Sequence, residues 1–174
     1  MAGSLIKIKE EIVTSAVASV SITGMDSTYD VYMVRVKDLK PATNTVYPYM
    51  RFTESGTVNT SSSYDYADKN IKAGFSYSNM ASANQAQFYI LSEQLGTGTQ
   101  ELLNGTFFIF NASNATERTY FTQETTAIDH NSNHLGRQGG WVFKQNSEVD
   151  GVNFFMSSGN IDTGSTFILY GLNK

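Results

Sequence analysis

The 174-residue chain contains no cysteine, only two prolines and few charged side chains. Without cysteine it cannot form disulfides or supply the thiolate ligands of structural zinc sites. Charged residues make up 16% of the chain, well below the usual figure of about 25%. The net charge of -4 provides no basic surface for nucleic acid or for an anionic membrane.

Long apolar runs are also absent. No run approaches the length of about 18 residues that a membrane-spanning helix requires, and the first nine residues lack the apolar core of a signal peptide. The sequence therefore predicts a soluble protein made in a cytoplasm, which leaves the cell only by lysis or by an unconventional route. A chain of this length fits one domain, residues 1–174, with about 70% of its unfolded surface buried.

Apolar residues recur at every second position rather than at the helical period. In residues 16–22, for example, Ala18, Val20 and Ile22 lie on one face, as in a β-strand. Short strands separated by polar turns are typical of a sandwich or barrel, so we predict an all-β, antiparallel β-sandwich of about 8–10 strands. The predicted strands are 5–13, 16–22, 29–37, 46–53, 86–91, 103–111, 119–128, 141–144, 152–156 and 166–172.

Two segments are harder to assign. Residues 64–74 fit either a strand or one helical turn, and residues 131–140 are rich in Asn and Gly, which predicts a turn. The second segment contains Gly136-Arg137-Gln138-Gly139-Gly140. It is not a phosphate-binding loop, because a predicted strand rather than a helix follows it. We interpret it as a flexible hairpin or a tight backbone contact, with Arg137 available for one ion pair.

The last predicted strand carries large apolar side chains on both faces. Phe167 and Leu169 point to one side, and Ile168 and Tyr170 to the other, because side chains alternate at period two. The same pattern recurs at 107–110 and 154–156, although a sandwich strand normally buries only one face. Either loops or a helix near 64–71 cover the second face, or it contacts another subunit. The second explanation makes these four residues candidate interface residues.

The sequence shows no arrangement of reactive side chains. His130 and His134 are the only histidines, and they lie in a predicted loop, where a spacing of four does not align two metal ligands. The Gly-x-Ser-x-Gly motif of hydrolases is absent. We therefore expect no enzyme, with no catalytic residues, no metal and no cofactor. Three acidic pairs lie in polar stretches that predict solvated surface: Asp65 with Asp68, Glu10 with Glu11, and Glu148 with Asp150.

Several aromatic side chains next to Asn and Asp suggest a sugar-binding surface. Tyr64, Tyr66 and Trp141 are the candidate glycan contacts, and Tyr77 lies in a similar setting. The competing interpretation is that these rings bridge core and surface, because tyrosine and tryptophan combine an apolar body with a polar group.

Three motifs along the chain fit a known group of proteins. They are Thr-Gly-Met-Asp-Ser-Thr-Tyr-Asp-Val-Tyr at 23–32, His-Leu-Gly-Arg-Gln-Gly-Gly at 134–140, and Ser-Gly-Asn-Ile at 158–161 followed by Gly-Ser-Thr-Phe-Ile-Leu-Tyr-Gly-Leu at 164–172. Together they resemble small virion structural proteins of tailed bacteriophages, notably those of marine bacteria and cyanobacteria. The resemblance covers most of the chain from Ser4 onward, and its motifs are structural.

The resemblance implies a jelly-roll-like sandwich on the virion surface, assembled in the host cytoplasm. It favours a capsid-surface decoration or cement subunit that binds the major capsid protein or tail proteins. The alternative is a receptor- or glycan-binding module of a tail fibre or tailspike, and a third hypothesis is a carbohydrate-binding or hydrolytic sandwich unrelated to virions. We expect a homo-oligomer, for example a trimer, with no nucleic-acid partner and no insertion into a membrane.

Overall fold

The fold consists of β-strands joined by turns. The computed structural model describes residues 4–74 and 77–172, and this part of the chain contains thirteen strands and no helix. The strands are β1 (Leu5–Ile12), β2 (Ser19–Thr23), β3 (Val31–Leu39), β4 (Pro48–Glu54), β5 (Thr57–Val58), β6 (Tyr64–Lys72), β7 (Ser78–Gln85), β8 (Phe88–Tyr89), β9 (Leu103–Phe110), β10 (Thr119–Ile128), β11 (His134–Phe143), β12 (Gly151–Met156) and β13 (Thr166–Leu172).

The strands form a large and a small antiparallel sheet. The large sheet has the order β1-β13-β3-β9-β10-β11-β6-β7, and the small sheet has the order β2-β12-β4-β5, with β8 also paired to β4. The sets β1-β13-β3-β9 and β2-β12-β4-β8 have the strand order of a jelly roll. Strands β10, β11, β6 and β7 extend the large sheet beyond β9. The predicted all-β, jelly-roll-like sandwich is confirmed, with more strands than expected.

The core lies between the two sheets, and several strands contribute every second residue to it. In β10, buried and exposed residues alternate from Thr119 to Ala127. Phe52, Phe88 and Phe121 are almost completely buried. Their rings meet edge to face, with centroids 5.2 Å apart for Phe52 and Phe88 and 4.4 Å apart for Phe88 and Phe121. Burial of each such side chain stabilises the fold by about 1.5–3 kcal/mol.

Two local predictions need correction. Residues 64–72 form strand β6, so the explanation that a helix near 64–71 covers the outer face is wrong. Residues 134–140 belong to β11 rather than to a turn, and they pair with both β10 and β6. Strand β7 was not predicted, because its small polar side chains show no apolar alternation.

The last strand, β13, lies inside the large sheet between β1 and β3. Phe167 and Leu169 have no exposed surface and belong to the core, so their assignment as interface residues is corrected. Ile168 and Tyr170 lie on the opposite face and are only partly shielded. Of the four candidate interface residues, these two remain accessible to another protein.

Candidate functional site

The outer face of the large sheet, turned away from the core, carries exposed aromatic side chains. Phe107 of β9 is buried in the core, so Phe108 and Phe110 lie on the outer face. The strand register places Phe108 opposite Met33 of β3, and Phe110 opposite Tyr120 of β10. Residues far apart in the chain thus meet on one surface.

We call this group the outer aromatic face. Phe108 is 38% exposed and Tyr120 is 47% exposed, whereas Met33 is buried between its neighbours. A contiguous apolar patch of this kind usually marks a contact site on a soluble protein. The outer aromatic face consists of Val31, Met33, Phe108, Phe110, Tyr120, Val142 and Tyr170.

Charged side chains border the outer aromatic face on more than one side. Lys7 lies opposite Tyr170, and Asp65 lies opposite Val142. A neighbouring row across the sheet mixes acidic and basic groups with uncharged ones. The row therefore does not create a strong electrostatic potential of one sign. Interfaces commonly combine an apolar centre with such a polar rim. The row runs through Glu10, Ile168, Arg35, Thr106, Glu124, Gln138 and Lys69.

A groove of about 470 Å³ opens beside Tyr120. Gly140 and Ala67 pair across β11 and β6, and a Cβ atom at Gly140 would meet no atom within 4 Å. Phe110 and Val142 also line the groove. Because small residues leave a depression between larger apolar ones, the groove fits an aromatic or aliphatic side chain better than a polar ligand.

A buried ion pair lies on the inner face of the strands that form this groove. Arg137 Nη2 lies 2.8 Å and Nε 3.0 Å from Asp68 Oδ2, and neither side chain has any exposed surface. With its amide oxygen facing the guanidinium, Gln123 accepts hydrogen bonds from Arg137 Nε (3.2 Å) and Trp141 Nε1 (3.2 Å). The cluster ties β6, β10 and β11 together and stiffens the sheet beneath the groove.

Burial dominates the chemistry of Asp68. It raises the pKa of Asp68 above its ordinary value, and the hydrogen bonds and charge of Arg137 act in the opposite direction. Oδ1 of Asp68 has no hydrogen-bond partner among the described residues, which agrees with burial as the stronger effect. The prediction of a solvated Asp68 is wrong, whereas the prediction of one ion pair for Arg137 is confirmed.

The glycine-rich segment around Arg137 is a tight backbone contact rather than a flexible hairpin. A Cβ atom at Gly139 would lie 2.0 Å from Asp68 Cβ and 2.4 Å from Asp68 Cα. Only glycine allows β6 and β11 to approach this closely. The close approach also brings Asp68 within reach of Arg137.

The three candidate glycan contacts are mostly buried. Tyr64 has no exposed surface, and its hydroxyl donates to the carbonyl of Asn59 (3.1 Å). Trp141 is 3% exposed and stacks on Tyr66, with centroids 4.2 Å apart. Because a sugar stacks on an open ring face, Tyr64 and Trp141 are corrected from glycan contacts to core residues. Tyr66 is partly exposed, and Tyr77 is well exposed beneath the ammonium of Lys69.

The histidines take part in local hydrogen bonds. His134 Nε2 lies 2.9 Å from Thr126 Oγ1, and His130 Nδ1 lies 3.3 Å from the carbonyl oxygen of Gln94. Within residues 4–74 and 77–172, no three His, Cys, Asp or Glu side chains are placed to hold a metal ion. Both histidines thus make local contacts, His130 within a loop and His134 at the first residue of β11.

Asp129 closes the turn between β10 and β11. Burial raises the pKa of Asp129, but hydrogen bonds from Asn133 and Asn131 and the charge of Lys72 outweigh it, so the pKa lies below its ordinary value. The backbone N–H groups of Asn131 (2.9 Å) and Asn133 (2.8 Å) donate to Oδ1, and Lys72 Nζ lies 3.5 Å from Oδ2. This carboxylate is a structural element of the turn.

One member of each predicted acidic pair is also held by local contacts. Asp65 accepts from the N–H of Asn84 (2.7 Å) and pairs with Lys144 (2.9 Å). Asp150 accepts from Thr53 Oγ1 (2.6 Å), and Glu10 pairs with Lys7 (3.0 Å). Asp65, Asp150 and Glu10 thus each take part in local contacts.

Comparison with protein-family models and with curated proteins adds no relative. No protein-family model matches the sequence, and no curated protein is significantly similar to it. In the described part of the chain, no helix is long and apolar enough to cross a membrane. Inference about function therefore depends on the geometry of the surfaces described above.

Tyr120 is the exposed residue of this surface that sequence reasoning missed. The signal was present, because β10 alternates buried residues with the outward residues Tyr120, Thr122, Glu124 and Thr126. Tyr120 is the one aromatic group on that side of the strand, which is polar from Thr122 to Thr126. Phe108, by contrast, belongs to a segment whose two apolar faces were recognised from the sequence.

Proposed function

We propose that this protein is a non-enzymatic structural subunit of the bacteriophage virion surface, and specifically a capsid-decoration or cement subunit. The observation that carries the proposal is the outer aromatic face, a contiguous apolar surface on the solvent side of the large jelly-roll sheet. Apolar patches of this kind become stable when another protein covers them. The sequence motifs at 23–32, 134–140 and 164–172 support the assignment to virion proteins.

The chemistry of the surface favours a protein partner. The side chains of the outer aromatic face carry no charge, and the adjoining groove is lined mainly by apolar groups such as Phe110, Tyr120 and Val142. Aromatic residues dominate the energetic centre of protein interfaces. We therefore assign the partner as an apolar surface of another virion protein, the major capsid protein in first place.

A glycan-binding module of a tail fibre or tailspike is the alternative. Tyr120 is exposed at the groove, and Asp65 and Thr122 lie at the same site, so one ring and two polar groups face solvent together. Specific recognition of a polar ligand requires several convergent hydrogen-bonding groups. With Tyr64 and Trp141 in the core, this surface offers fewer of them than a sugar site needs.

A binding experiment separates the two functions. Labelled protein is mixed with particles of the phage that carries this gene, prepared without the subunit, and separately with host cells and surface glycans. We expect binding to particles, lost in Phe108→Ser and Tyr120→Ser and kept in Tyr77→Ser, an exposed aromatic off the outer aromatic face. Binding to cells or glycans without binding to particles would reject the decoration role.

A further inference from the structure

The two edge strands of the large sheet differ in how they are protected from pairing with other strands. An edge presents unpaired N–H and C=O groups, and natural proteins shield it with charges, proline or a bulge. Strand β1 carries four charged residues and a register shift between Lys7 and Lys9. Strand β7 reads Ser-Asn-Met-Ala-Ser-Ala-Asn-Gln and contains neither a charged residue nor proline, and its own register shift lies beyond Ser82.

The edges of the small sheet are less suited to pairing. Strand β2 has five residues and packs against β1 and β13, and β5 and β8 have two residues each. Among the described residues, β7 is therefore the one long edge without protecting charges. Of the sheet edges, β7 is therefore the one best suited to pair with a strand of another chain.

The first part of β7 has regular geometry. Its pairing with β6 runs in continuous register from Ser78, opposite Asn70, to Ser82, opposite Tyr66. The register shifts only beyond this point, where Asn84 has a φ of 57°. Residues 78–82 thus form an unbroken strand edge with small or flexible side chains.

We propose that β7 pairs antiparallel with β7 of a second copy of this chain, about a two-fold axis that passes near residues 79–82. A two-fold contact places the same surface on both subunits, so a charged strand would bring like charges together. Strand β7 avoids this repulsion and supplies an equally uncharged partner. The proposal is independent of the outer aromatic face, which lies on the sheet surface and stays open in such a dimer.

The absence of cysteine allows a direct test. About a two-fold axis, one residue of β7 faces its own copy with Cα atoms about 4.5–5.5 Å apart, within the range of about 4.4–6.8 Å that a disulfide requires. Single variants Asn79→Cys, Met80→Cys, Ala81→Cys and Ser82→Cys are oxidised under mild conditions. Ile12→Cys, on the exposed part of β1, is the matched control.

We expect one β7 position to form the disulfide dimer about tenfold faster than its neighbours. At the neighbouring positions, the distance between the two equivalent Cα atoms already exceeds the disulfide range. Ile12→Cys should remain monomeric. Equal cross-linking at all positions, or cross-linking only at Ile12→Cys, would overturn the proposal.

Sedimentation velocity supplies a second test without cysteine. The unmodified protein should show a dimer that increases with concentration, and Ala81→Lys should shift it to monomer while its circular dichroism stays unchanged. A monomer at all concentrations, or a dimer that Ala81→Lys leaves intact, would overturn the proposal. Because neither result depends on binding to particles, failure here is distinguishable from failure of the decoration role.

Discussion

Replacing Asp68 by alanine leaves the guanidinium of Arg137 buried without its ion-pair partner. Both side chains have no exposed surface, so bulk solvent does not reach the guanidinium to replace the lost carboxylate. Removal of one member of a buried pair costs about 3–5 kcal/mol of unfolding free energy. Alanine keeps the Cβ atom of Asp68, which packs against Gly139, so the backbone contact is unchanged.

The double variant Asp68→Ala with Arg137→Met provides the control. Methionine fills much of the same volume without a charge, and replacement of a whole buried pair by apolar residues is often close to neutral. We therefore expect the double variant to be more stable than Asp68→Ala alone. Such non-additivity is the signature of two residues in direct contact.

Urea unfolding followed by tryptophan fluorescence measures this prediction. Trp141 is the single tryptophan, and it shares Gln123 as a hydrogen-bond acceptor with Arg137, so its emission reports on the site itself. A loss below about 1 kcal/mol in Asp68→Ala, the range of exposed ion pairs, would refute the buried-pair argument. The argument would also be refuted if the double variant lost as much unfolding free energy as the two single variants added together.

Three further predictions follow from the same geometry. The lowered pKa of Asp129 means that its carboxylate stabilises the fold above about pH 4. This stabilisation is lost as the pH falls through the lower folded-state pKa. Thermal unfolding between pH 2 and 6 should therefore show a smaller acid-dependent loss of stability in Asp129→Asn than in the unmodified protein. Gly139→Ala should strongly destabilise the protein in urea, because its Cβ meets Asp68, whereas Gly140→Ala should be tolerated. Phe107→Ala should cost about 3–5 kcal/mol, and the exposed Phe108→Ala less than about 1 kcal/mol.

Each of these predictions has a result that would contradict it. An acid-unfolding profile unchanged in Asp129→Asn would remove the turn as a source of acid sensitivity. Similar losses for Gly139→Ala and Gly140→Ala would contradict the close contact between β6 and β11. Equal losses for Phe107→Ala and Phe108→Ala would contradict the assignment of the two rings to opposite faces.

Strands with a clear apolar alternation could be predicted from the sequence. The predicted bounds of 119–128 agree with β10, because every second residue there is buried and the intervening ones are mostly polar. The predicted strand 141–144 covers only the end of β11. The earlier part was not recognised, because Arg137 and Gly139 occupy inward positions where an apolar residue is expected. The charge of Arg137 is accommodated only through Asp68, a residue that lies far away in the chain.

The candidate site could be predicted only in part. The segment around Phe108 showed two apolar faces, but its neighbours on the outer aromatic face depend on strand register. Tyr120 lies beside Phe110 because β9 and β10 pair in that register. For β13, Phe167 and Leu169 could not be told from Ile168 and Tyr170 by alternation alone, since both faces are apolar. Only the position of the second sheet decides which face is core.

The central claim is that the outer aromatic face is covered by another virion protein. Oxidative footprinting by mass spectrometry tests it most directly, with the purified particle compared with the free protein. The account predicts that Phe108 and Tyr120 react in the free protein and are protected in the particle, while Tyr77 reacts in both. Absence of the protein from the particle, or equal oxidation of Phe108 and Tyr120 in both states, would contradict it.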